Sequence, residues 1–397
     1  MLQHSAMPQW KSNLYKLYYL KIVEWFLLFM PIVVIFFQSH GLSMKEVFLL
    51  QSVYSIAIVI LEIPSGYLAD VIGRKNSITI GTVLGFIGFS IYIFTGDFWG
   101  FLVAEIIMGF GQSMISGADS AILYDTLLEA KEEDRYLKEE GFISGLGNYS
   151  EAIAAILGGL LAQLSLQAPF VAQAALALTA IPVALWLYEP TVYRTAVKPS
   201  IAEVWKIVRY CLLDNKQMRW NIILSAITGA STLSMAWFSQ PYFEKVGVPL
   251  ALFGIAWTVL NFSVGLTATV AHKIEAFLGL RRTVIIATLT LSVTYILMGL
   301  FPSLWALGFL LLFYLARGVA TPVFKNTINK IAPSESRATI LSVRSFVIRI
   351  VFGILGPIFG WLSDAFGLME ALVIAGITFT ILETIAAINF LKTNSPD

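Results

Sequence analysis

The chain has 397 residues, 57% of them hydrophobic and only 13% charged, with a mean hydropathy of +0.78 and a formal net charge of +1. A soluble chain exposes roughly twice that charged fraction, so the composition excludes a water-soluble globule and indicates a polytopic membrane protein. The single Cys211 excludes an internal disulfide, and His4, His40 and His272 lack metal-ligand spacing; no cofactor, no metal and no nucleic-acid partner is expected.

A membrane span needs about 20 apolar residues. Twelve are predicted, near 17–38, 46–69, 76–95, 98–124, 141–164, 169–188, 219–240, 250–271, 283–300, 303–327, 338–362 and 368–391. The first is long enough to span and has no small-residue cleavage site after it, so it reads as a span and not as a signal peptide. The Asn-x-Ser matches at Asn148 and Asn261 fall at or inside spans, which discounts glycosylation.

Basic residues alternate with this layout. Lys11, Lys16 and Lys21 precede or open the first span, Arg74 and Lys75 follow the second, Lys131, Arg135 and Lys138 follow the fourth, and Arg281 and Arg282 follow the eighth. The loops on the opposite side hold only Lys45 and Lys245. The positive-inside rule then places both termini in the cytoplasm, and compact loops point to a bacterial inner membrane. The polar stretch 191–218 separates an N-terminal half, 1–190, from a C-terminal half, 219–397. Within it, 201–213 reads as an amphipathic helix along the membrane surface.

The most informative stretch is Gly66-Tyr-Leu-Ala-Asp70-Val-Ile-Gly73-Arg74-Lys75, between the second and third spans. Gly66 permits close helix packing, and Gly73 supplies a backbone conformation that other residues avoid. Asp70 suits a helix N-terminus or an arginine. The stretch resembles the signature loop of the major facilitator superfamily, Gly-x-x-x-Asp-(Arg/Lys)-x-Gly-(Arg/Lys)-(Arg/Lys); Val71 stands where a basic residue is usual. Ala271-His272-Lys273 with Gly279-Leu280-Arg281-Arg282 looks like a degraded copy in the second half. The resemblance implies an all-α membrane fold of 12 transmembrane helices in two six-helix halves, with spans 1, 4, 7 and 10 lining a central cavity. It also implies a conformational switch made of Gly66, Asp70, Gly73, Arg74 and Lys75 with Asp119 or Asp125, in which Arg74 pairs with one of the two carboxylates.

No phosphate loop is present, so a gradient rather than ATP is the expected energy source, and nothing suggests an enzyme. Ionisable groups inside a membrane are functional by default. On the cavity-lining spans these are Glu24, Glu105 and Arg317; Glu151 and Arg349 join them as candidates for the substrate or proton site, and Glu383 is a weaker one. Glu62 and Arg344 form a candidate gate ion pair, with a purely structural pair as the alternative. Many proton antiporters of the superfamily have an arginine where Glu105 precedes Gly109, and a Gly-Pro-x-x-Gly-Gly ending where only Gly158 and Gly159 remain here.

The function this implies is secondary active transport by a monomer, with proton-coupled export of a small amphipathic compound. Proton-coupled import of an anionic nutrient or metal chelate is an alternative resting on Arg317, Arg344 and Arg349. Lipid flipping is another, and a transporter-like receptor finds no appended domain to support it.

Overall fold

The computed structural model describes residues 9–190, 201–333 and 336–394. Among them the regular structure is helical. In chain order α1 is Gln9–Trp25, α2 Val33–Ser39, α3 Met44–Ile72, α4 Arg74–Phe94, α5 Phe98–Ile115, α6 Ala118–Glu129, α7 Tyr136–Ala162 and α8 Ala168–Leu185. Then come α9 Ile201–Arg209, α10 Lys216–Lys245, α11 Phe253–Leu278, α12 Leu280–Leu300, α13 Leu307–Ile331, α14 Arg337–Phe366 and α15 Leu368–Asn394.

Ten of the described segments are long and apolar enough to cross a membrane. The order is that of the twelve predicted spans, and two of those spans are each built from two helices. The first span divides into α1 and α2, because Pro31 has no N–H to donate and the helical ladder fails over residues 26–32. The fourth divides into α5 and α6 at Gly117, whose φ of +81° only glycine adopts readily. The fifth, α7, is continuous, but its polar run Asn148 to Glu151 lowers its hydropathy below that of the ten.

The chain forms two compact units. The first comprises Met1–Gly41, Val53–Ala196 and Leu250–Thr258; the second comprises Leu42–Ser52, Val197–Pro249 and Val259–Asp397. In lipid, helices associate through close packing of small residues rather than through apolar burial. The first unit shows this at the break in the first span: a Cβ on Gly158 of α7 would lie 1.8 Å from the Leu28 carbonyl oxygen. The freed Leu28 N–H donates to the buried Gln173 side chain at 3.0 Å, so the irregular backbone is satisfied by protein. Rings of Phe36, Phe37, Tyr92, Phe101 and Phe170 fill the interior beside it.

In the second unit α12 packs closely on α15 where a Cβ on Gly376 would meet Tyr295 and Ile296. The linker helix α9 is followed by a π-helical turn, Tyr210–Asp214. Ile207, Val208 and Leu212 pack against a buried cluster of Cys211, Met218, Ile222, Ile328 and Val343. The amphipathic linker therefore seats an apolar side on the helical bundle of its own unit.

Candidate functional site

Two helices of the first unit, α1 and α6, bring one ammonium to two carboxylates, and α5 adds an amide. Lys21 and Glu24 lie three residues apart on α1, so they share a face. The turn at Gly117 redirects the chain, and the first turn of α6 carries Asp119 back toward α1. Lys21 Nζ lies 3.1 Å from Glu24 Oε2 and 3.2 Å from Asp119 Oδ2. Gln112 of α5 donates from Nε2 to Glu24 Oε1 at 3.0 Å. These side chains are 14–28% exposed, shielded but reachable. The Lys21 ammonium also sits 5.8 Å from the Trp25 ring centroid, an indole that rests on Gly147 of α7. Next to Asp119, Ser120 Oγ donates to Glu140 at 2.7 Å. Formally the Lys21–Glu24–Asp119 set carries one excess negative charge.

The other sequence-predicted residues fall elsewhere. Glu105 is two helical turns before Gln112 on α5 and only 3% exposed; Tyr92 of α4 donates to its Oε1 at 2.6 Å. Glu151 is half-buried on α7. In the second unit the Arg317 guanidinium stands 5.5 Å from the Tyr314 ring, Arg349 is half-buried on α14, and Arg344 donates from Nε to Ser225 Oγ at 2.5 Å. Glu62 is exposed on α3 in the first unit.

The signature loop is shorter than its sequence suggests. α3 ends at Ile72 and α4 starts at Arg74, so Gly73 alone, at φ +93°, makes the connection. Arg74 Nη1 lies 2.8 Å from Asp125 Oδ2, while Asp119 is engaged by Lys21. The Asp70 side chain and the surroundings of Gly66 lie outside what the structure describes. Glu189, just past α8, was not expected here: it accepts the Arg74 N–H at 3.0 Å and the Lys75 N–H at 2.5 Å. It thereby ties off two orphan donors at the α4 N-terminus. Burial raises the Glu189 carboxyl above its ordinary range, and the Lys75 N–H offsets part of that. Asn13 of α1 strengthens the same corner by donating to Thr126 at 2.8 Å and accepting from the Tyr188 N–H at 2.9 Å.

A second unexpected residue is Asp364. It accepts the Met44 and Lys45 N–H groups, each at 2.8 Å, and so caps the α3 N-terminus. Its sequence signal is plain once seen: Gly360-Trp-Leu-Ser-Asp364-Ala-Phe-Gly367 repeats Gly66-Tyr-Leu-Ala-Asp70-Val-Ile-Gly73, and Gly367 also has positive φ, +106°. A Cβ on Gly360 would meet the Met44 carbonyl oxygen at 2.6 Å, so the close approach needs that glycine.

Among solved structures the chain resembles the nucleoside transporter NupG, with a TM-score of 0.80, 17% identity and coverage of 98% of this chain and 100% of that one. A bacterial homologue of the human lysosomal transporter Spinster gives a TM-score of 0.78 at 17% identity, covering 99% and 100%. In sequence it is 25% identical over 371 residues to the MFS-type transporter YxaM of Bacillus subtilis (strain 168), covering 88% of each chain. It is 26% identical over 324 residues to the inner membrane transport protein YajR of Escherichia coli (strain K12), covering 79% of this chain and 68% of YajR. The family model of the Major Facilitator Superfamily matches residues 22–353. That span includes the signature loop and the clustered carboxylates, and the chain therefore belongs to the Major Facilitator Superfamily, as a membrane transporter and not an enzyme.

Proposed function

We propose that this transporter exports a small amphipathic cation across the plasma membrane in exchange for protons. It works by alternating access, as a monomer with cytoplasmic termini. The observation that carries the reading is the sharing of the Lys21 ammonium by Glu24 and Asp119. One carboxylate charge is left over in a shielded site. That charge attracts either a proton or an organic cation, and binding one disfavours the other, which is the requirement for exchange. The neighbouring Trp25 ring offers a face for a flat or cationic group. Glu105 and Glu151 are secondary proton sites in this reading. The Arg74–Asp125 pair, with Gly66, Asp70, Gly73 and Lys75, serves as the switch.

Everted membrane vesicles loaded by a pH gradient test it, with ethidium as the probe. Wild type should accumulate ethidium. Glu24→Gln should abolish gradient-driven accumulation while leaving exchange down an ethidium gradient. Equal gradient-driven accumulation in both proteins would overturn the proposal.

A second reading, proton-coupled import of an organic anion, draws on Arg344, whose Nε donates to a neutral hydroxyl, and on Arg317, whose guanidinium stands near the Tyr314 ring. Two half-buried guanidinium groups suit carboxylate or phosphate ligands.

A further inference from the structure

Building on the export reading, and resting on it, we propose that the Lys21 ammonium is a tethered stand-in for the transported cation. It covers Asp119 while the site is empty and withdraws onto Glu24 when the cation arrives. The ammonium holds every contact that the export reading gives to the substrate. It lies 3.1 Å from Glu24 Oε2, 3.2 Å from Asp119 Oδ2 and 5.8 Å from the Trp25 ring centroid. A second cation can take those contacts only as the first one yields.

The two carboxylates differ in what they keep when Lys21 moves. Glu24 stands three residues from Lys21 on the same helix, and its Oε1 also accepts from Gln112 of α5 at 3.0 Å. Asp119 Oδ1 accepts the N–H of its own neighbour, Ser120, at 2.8 Å. Among the described residues, the partner that another helix supplies to Asp119 is Lys21 alone. Asp119 is also the more reachable of the two, 28% exposed against 14% for Glu24. Glu24 is therefore the carboxylate that retains the ammonium, and Asp119 the one that is ceded. The neighbouring helices bring no rival cation. Over Ala168–Leu185, α8 has no charged residue, and α7 brings Glu140, held by Ser120 Oγ at 2.7 Å.

Charge stays in step with the exchange. In the empty site one ammonium serves two carboxylates. With a monovalent cation on Asp119 and Lys21 on Glu24, the set is neutral. A proton on Glu24 frees Lys21, which returns to Asp119 and expels the cation. The swing opens an ionic link between α1 and α6, while the Asn13–Thr126 hydrogen bond at 2.8 Å keeps the two helices tied.

Ethidium fluorescence titrations of the full-length protein in lipid nanodiscs, at one fixed alkaline pH, test the inference. A minor, uncovered state is typically populated at about 0.1–10%, and the apparent affinity falls by that fraction. Lys21→Met keeps much of the side-chain length without the charge, so it should bind ethidium about tenfold or more tighter than wild type. Two double variants keep the wild-type net charge and separate uncovering from a general field effect. Lys21→Met/Glu24→Gln retains the ceded carboxylate and should bind at least as tightly as wild type. Lys21→Met/Asp119→Asn retains Glu24 instead and should lose most of its binding. Equal affinity in the two double variants, or no gain in Lys21→Met, overturns the inference, and ethidium binding by wild type then leaves the export reading standing. Failure of wild type and of every variant to bind ethidium overturns both. Should Lys21→Met alone not fold, the two double variants carry the comparison.

Discussion

The Arg74–Asp125 ion pair gives the sharpest quantitative test of the switch region. Its atoms are 2.8 Å apart and its side chains only 14% and 8% exposed. Unit charges about 4 Å apart attract by about 4 kcal/mol at an effective dielectric constant near 20. Removing one partner strands the other charge, at a cost of about 3–5 kcal/mol. Arg74→Gln and Asp125→Asn should each destabilise by about that amount. The double variant strands neither charge and should fall well short of the sum, with a coupling energy of about 2–3 kcal/mol. Reversible unfolding in mixed micelles by SDS titration measures all four corners of the cycle. Additivity within about 0.5 kcal/mol would refute the pair as an energetic link between α4 and α6.

Three further predictions rest on separate contacts. Gly158→Ala places a methyl group 1.8 Å from the Leu28 carbonyl oxygen, so it should lower stability by about 1–3 kcal/mol or more; a neutral Gly158→Ala in the same titration would show that the broken first span has slack. Asp364→Ala removes the cap on α3 and should cost about 1–2 kcal/mol, with Asp364→Asn recovering part of it, and equal losses in the two variants would argue against a capping role. Burial pushes the Cys211 thiol up to about 11 from 9.0; at neutral pH the reactive thiolate is then roughly a hundredfold scarcer, and maleimide labelling of the native protein should be correspondingly slower than after denaturation. Labelling at equal rates would contradict that burial.

Much of the fold could be read from hydropathy and charge because spans of about 20 apolar residues are a composition signal. The breaks could not, since they are backbone events. Pro31 and Gly117 were their local markers, and a hydropathy window averages over both. In the signature loop, Gly73 and a pairing of Arg74 with Asp119 or Asp125 followed from the resemblance, and the geometry selects Asp125. Glu189 did not, because it is more than a hundred residues away and reads as the first polar residue of a linker. Asp364 carried a legible repeat of the 66–73 pattern, hidden because that repeat lacks the two basic residues that follow Gly73. At the candidate site, Glu24 was picked out by burial in a predicted cavity span. Lys21 was already within reach on the same face of α1, but Gln112 of α5 is a tertiary contact and Asp119 joins only where the turn at Gly117 brings α6 back to α1.

The most direct test of the exchange mechanism is ligand-induced thermal stabilisation of wild type and Glu24→Gln, with panels of lipophilic cations and organic anions at about pH 6 and about pH 8. A ligand at 100 times its dissociation constant adds about 2.7 kcal/mol, an easily read shift. Competition at the Lys21–Glu24–Asp119 cluster predicts that cations stabilise wild type more strongly at the higher pH and that Glu24→Gln loses this pH dependence. Stabilisation by anions at the lower pH, or a cation response unchanged in Glu24→Gln, would contradict it.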